Sequence, residues 1–174
     1  MKKILLGLIL SVSIAQSFAG TALLKNGQPT QQENAQTGEQ ISAMTVLISN
    51  YKQFKQEWDN TDYSHSPSAK QADKAKVGDT VHLVTFFSNC LPDNEQMCHM
   101  SFQVNVYQND TLITNSQKVS QQLKKSPGLQ MANLAVGTKF DESETGDFRY
   151  EVTVTDENAD DTVILKTKIK VSPK

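Results

Sequence analysis

Between Gly146 and Val171 apolar side chains recur at every second residue in two consecutive runs. Phe148, Tyr150, Val152 and Val154 alternate with Arg149, Glu151, Thr153 and Thr155. After the polar segment Asp156–Asp161, Val163, Leu165, Thr167, Ile169 and Val171 alternate with Ile164, Lys166, Lys168 and Lys170. Successive residues of a strand point to opposite faces, so this period predicts two half-buried strands joined by a short acidic loop, a β-hairpin. A hairpin alone is marginal in water, so the rest of the chain must supply the sheet on which it packs.

The N-terminal residues read as a targeting signal. Lys2 and Lys3 precede an apolar run, Ile4–Ile14, and Ser17-Phe18-Ala19 offers the small residues of a cleavage site. Residues 1–19 are therefore expected to be removed between Ala19 and Gly20, directing the protein to the periplasm or the exterior. The apolar run is too short to span a bilayer and no later stretch is long enough, so no membrane span is expected after its removal. The remaining 155 residues suffice for one domain with a real core. Their net charge moves from −2 to −4, with lysines and acids interspersed along the chain. A weakly acidic chain without a basic patch does not fit a nucleic-acid binder.

Residues 20–40 are rich in Gln, Asn, Thr and Gly and are expected to form a flexible tail. The domain is placed at 41–174. Ile41–Ser49 reads as a strand, with Met44, Val46 and Ile48 on one face. Tyr51, Phe54 and Trp58 fit one face of a short helix, although an irregular strand is nearly as compatible. Asn60–Val77 reads as a long loop, and Thr80–Asn89 as a central strand covered on both sides. Met100, Phe102, Val104 and Val106 form the cleanest one-sided pattern in the chain. Asn109-Asp110-Thr111 formally matches a glycosylation acceptor but reads as a turn; Ser116–Ser126 is compatible with a helical turn or a ragged edge strand.

Cys90 and Cys98 are the only cysteines. In an oxidising compartment they are expected to form a disulfide closing the loop Leu91–Met97, contributing about 2–3 kcal/mol in the chain-entropy view.

Strands separated by turns, each with a buried face, predict an all-β sandwich. Val77-Gly78-Asp79-Thr80-Val81-His82-Leu83 resembles the opening of the second strand of bacterial immunoglobulin-like domains. Gly146-Asp147-Phe148-Arg149-Tyr150 and its continuation resemble their penultimate strand. The resemblance is to the bacterial immunoglobulin-like (fibronectin type III-like) β-sandwich superfamily and covers a core of residues 78–172. It implies an immunoglobulin-like antiparallel β-sandwich and, by analogy, a binding, spacer or accessory module. The cysteines depart from the antibody pattern: they are close in sequence, with no tryptophan between them.

Catalysis finds little support. His65, His82 and His99 are the only histidines, no Gly-x-Ser-x-Gly motif is present, and His65 and His99 fall in expected loops without a marked partner. The carboxylates of Asp141–Glu144 and Asp156–Asp161 read as solvated turn charge, and the second run lacks the glycine and terminal glutamate of an EF-hand. No enzyme and no cofactor are expected. Met97-Cys98-His99-Met100 offers soft ligands suited to copper(I), with Met97, His99 and Met100 as candidate ligands. Against this, His99 and Met100 of one strand point to opposite faces. The function expected is a monomeric, non-catalytic module that binds another protein through its long loops or strand edges. The clipped loop with Leu91-Pro92 also has the shape of a protease-inhibitor loop.

Overall fold

The computed structural model describes residues 34–60, 67 and 69–174, together with the backbone at Leu24–Lys25 (β1) and Gln28–Pro29 (β2), which pair as a minimal ladder. The expected signal segment, its cleavage site and His65 lie outside the described residues. The side chains of Asn133 and Leu134 do too. In chain order the remaining elements are β3 (Ala35–Thr37), β4 (Ser42–Ile48), α1 (Tyr51–Asn60), β5 (Lys74–Lys76), β6 (Thr80–Ser88) and β7 (Met97–Gln108). Then come β8 (Thr111–Asn115), β9 (Val119–Lys124), β10 (Gln130–Lys139), β11 (Gly146–Asp156) and β12 (Asp161–Ser172).

Two sheets form an all-β, immunoglobulin-like sandwich. One runs β10-β6-β4-β3; the other runs β5-β12-β11-β7, with β8 and β9 sharing the free side of β7. The expected hairpin is β11–β12, in register from Gly146↔Val171 to Asp156↔Asp161. Its alternation supplies Phe148, Tyr150, Val152, Val154, Leu165 and Ile169 to the interior. Across from them β6 contributes Leu83 and Phe87, and Phe87 meets Phe102 of β7 with ring centroids 6.1 Å apart. The sheets are antiparallel except that β5 runs parallel to β12. This strand lies within the expected loop. Lys-Ala-Lys is too short and polar to show a period, and only Ala75 is buried. β3 likewise pairs with β4 several residues before the expected domain start.

β4 carries apolar residues on both faces, and Met44, Val46 and Ile48 point away from the other sheet. They join Val84 and Phe86 of β6 in a second cluster, roofed by α1 through Phe54 and Trp58. Phe54 and Phe86 meet edge-on with centroids 6.0 Å apart. The i, i+3, i+7 pattern of Tyr51, Phe54 and Trp58 is thus a helix, and the expectation that β6 is covered on both sides holds for the same reason. Ser116–Ser126 resolves into the edge strand β9, whose Leu123 reaches the core. Asn109 and Asp110 both adopt positive φ, 45° and 65°, a backbone shape that suits a tight hairpin turn between β7 and β8. Among the described residues no helix is long and apolar enough to cross a membrane.

Candidate functional site

The sequence features left without a structural role gather at one end of the sandwich, where the β6–β7 loop meets the β11–β12 turn. Cys90 and Cys98 are bonded, with Cα atoms 5.9 Å apart, and both are buried. Cys98 starts the inward face of β7, followed by Met100 and Phe102. The loop they close is shaped by Asp93. Its Oδ1 accepts the backbone N–H groups of Glu95 and Met97, each at 2.9 Å, and its own N–H donates to the Met97 carbonyl at 2.9 Å. This satisfies a tight turn from within, in the manner of an Asx turn.

Residues distant in sequence complete the fixation. Asp156, fully buried, accepts the Leu91 N–H at 2.6 Å and the Asn158 N–H at 3.1 Å. The Asn158 amide donates to the carbonyls of Leu91 at 2.8 Å and Met97 at 3.1 Å. Lys125 N–H donates to the Gln96 carbonyl at 2.8 Å, and its ammonium reaches the Cys90 carbonyl. The reading of Asp156 as solvated turn charge is therefore corrected. A buried carboxylate is costly unless hydrogen-bonded, and here backbone donors hold it. Asp161 is similarly employed: its Oδ2 accepts Gln40 N–H at 2.7 Å and Ile41 N–H at 2.9 Å, tying the start of β4 to this end. Gly38 packs so closely on that carboxylate that a Cβ would come within 2.4 Å of it.

The electrostatics follow from these bonds. The Met97 N–H, with His99 and Glu95 in support, holds the Asp93 carboxyl below the usual range. Lys118, 2.6 Å away, and the Ser101 hydroxyl lower Glu157; the N–H groups of Gln40 and Ile41 lower Asp161.

His82 and His99 now have places. His99 Nε2 lies 2.8 Å from Asp93 Oδ2, so the partner that sequence reading missed is six residues back, across the disulfide loop. A histidine–aspartate pair is part of a hydrolase triad, but the neighbouring Ser101 hydroxyl donates to Glu157 instead. His82 stacks on Tyr51 beneath α1, centroids 4.6 Å apart, and burial lowers its pKa. The candidate copper ligands do not converge: Met100 is buried between the sheets, while His99 and Met97 lie at the odd, outward positions of β7. Among the described residues no three histidine, cysteine or carboxylate side chains are grouped to hold a metal.

A second concavity, about 680 Å³, lies at the opposite end and is lined in part by Asn109, Asp147, Arg149 and Lys168. Its arginine is already engaged. The guanidinium sits 4.0 Å over the Tyr107 ring and pairs with Glu151 and, at 3.6 Å, with Asp110. What distinguishes the clipped end is an exposed apolar side chain, Leu91, on a backbone held from several directions.

No protein-family model matches the chain, and no curated protein matches it either. Among solved structures it is similar to the CARDB domain of a Pyrococcus furiosus protein, solved in complex with di-metal ions. Identity there is 18% over 80% of this chain and 100% of that one, with a TM-score of 0.39. It is also similar to the PmoD soluble domain from Methylocystis sp., 13% identical over 79% of this chain and 96% of that one, TM-score 0.35. A Listeria innocua β-glucosidase matches 58% of this chain at 10% identity and TM-score 0.35, over only 15% of its own length. None of these likenesses carries an argument about activity. By its own strand pairing the chain is an all-β immunoglobulin-like sandwich whose loop end is clipped by a disulfide.

Proposed function

We propose that this is an exported, monomeric, non-catalytic binding module, nearest in kind to fibronectin type III-like domains, that presents the loop Leu91–Met97 to another protein. The observation that carries the reading is the combination at Leu91. Its backbone N–H and carbonyl are both fixed, by Asp156 and Asn158, while 39% of the residue remains exposed. A loop already held in one shape loses little conformational entropy on binding, which is how a small apolar contact becomes specific. Export to an oxidising compartment accounts for the disulfide.

The test is a photo-cross-linker placed at Leu91 in the full chain expressed in its own host, with a second placed at Glu142 at the far end. One protein captured from Leu91 and not from Glu142 supports the reading. Equal capture from both positions, or none, sinks it. The same held, partly exposed loop favours a second reading, inhibition of a protease; a protease panel in which no enzyme is slowed removes it.

A further inference from the structure

Lysines and acids are interspersed along most of the chain, with one long exception. From Thr111 to Phe140 the chain carries four lysines and no acid, against 19 acids and 17 basic residues overall. This stretch comprises β8, β9 and β10. The fold places them on one flank: β12 packs on β4 and β3, leaving β10 on the side of β8 and β9. The side-chain amide of Gln130 bonds to the Lys124 carbonyl at 2.9 Å and ties the two sheets together at one end of that flank.

The same flank is where apolar surface stands exposed. Five large apolar side chains are exposed among the described residues, and three belong to the β8–β9 edge: Leu112 (48%), Ile113 (45%) and Val119 (38%). β8 is exposed at every residue and is bonded to β7 on one side only. A register shift opposite Val106–Tyr107 bulges it at Ile113. Edge strands normally hide such groups, because unpaired N–H and C=O recruit another strand.

We propose that the β8–β9 edge takes up an extended acidic segment of another protein as an additional antiparallel strand. Backbone bonds supply affinity in this mode, and alternate side chains supply selectivity. Apolar residues of the incoming strand cover Val119 and Ile113. Its acids meet Lys124, which pairs with no carboxylate among the described residues; Lys118 is already matched by Glu157, and Lys125 turns inward to Cys90. A second copy is the poorer occupant. Its corresponding edge is equally free of acids, and β5 at the other edge of the sheet exposes its own Lys74 and Lys76, so lysines would oppose lysines. The inference rests on the binding-module reading. β9 ends beside the clipped loop, through the Lys125–Gln96 bond, so one partner can span both surfaces.

The test is selection of short random peptides on the full chain, repeated on Val119→Glu, Ile113→Glu and Leu91→Ala. The expected binders alternate apolar residues with Asp or Glu and protect backbone amides of β8 and β9 from exchange. They lose at least about tenfold in affinity for either edge variant. Val119 and Ile113 are exposed, so both variants should fold, and circular dichroism verifies it. Binders without acid enrichment, or acidic binders indifferent to both edge variants, overturn the strand proposal. A concentration-dependent dimer abolished by Val119→Glu overturns it too, in favour of a second copy. Binders lost with Leu91→Ala but kept with both edge variants overturn the edge alone and leave the loop reading standing. Binders indifferent to all three variants overturn both.

Discussion

Strand β7 meets two contrasting regions. At Met97 and Cys98 it leaves a loop whose backbone is held by Asp93, Asp156 and Asn158. Along the same strand, β8 and β9 form an edge that turns Leu112, Ile113 and Val119 outward. The loop is made definite by polar side chains, two of them contributed more than sixty residues later in the chain. The edge is made available by backbone valence and uncovered apolar area. The first kind of surface is stiff and chemically costly to build. The second costs little to build but must be protected from the wrong strand.

The largest expected effect breaks the loop. Replacing both cysteines, Cys90→Ala with Cys98→Ala, should lower stability by about 2–3 kcal/mol in urea titrations, through the freed unfolded chain. Asp156→Ala comes next, at about 2 kcal/mol, because the N–H groups of Leu91 and Asn158 lose their acceptor in the interior. Asn158→Ala should cost about 1 kcal/mol, since its amide is partly exposed and water can replace it.

Acid sharpens the contrast without any mutation. Asp93, Glu157 and Asp161 all sit at the clipped end with carboxyls held below their ordinary range. A depressed folded pKa means that the unfolded chain binds protons first, so this stability is complete above the ordinary carboxylate value of about 4 and is lost as pH falls through the lower folded values. Amide exchange corrected for intrinsic rate should therefore rise at Glu95, Met97 and Ile41 in acid. Residues Thr111–Asn115 contain no carboxylate and should change little. A uniform response along the chain would mean that the two regions are not separately held. The smallest stability effect is expected for Ile113→Glu, within about 0.5 kcal/mol by thermal melting, because the side chain is already in water.

Much of this was legible in the residues. The one-sided period of Phe148–Val154 and of Val163–Val171 marks the β11–β12 hairpin, and the short separation of Cys90 and Cys98 marks the clip. Alternation is a property of the backbone, so a sequence records it locally. The spacing of Tyr51, Phe54 and Trp58 fitted a helix as well as it fitted anything, and α1 is that helix. The same alternation could not say which face of β4 meets the other sheet, because both faces are apolar and only the position of α1 decides. β5 was hidden, and β9 stayed open between a helical turn and an edge strand, because their strand character comes from neighbours, β12 and β7, and not from their own composition.

At the candidate site the division is sharper. The residues themselves determined a β-rich domain, its hairpin, its disulfide and the absence of a familiar catalytic motif. Only the tertiary structure decided that Asp156 is a buried anchor, that His99 pairs with Asp93, that Met100 leaves Met97 and His99 for the core, and that the acid-free stretch forms one flank. Each of these depends on which parts of the chain come to lie side by side, and that is settled by burying apolar faces across long separations. A local pattern specifies the strand; the shared core specifies its neighbours.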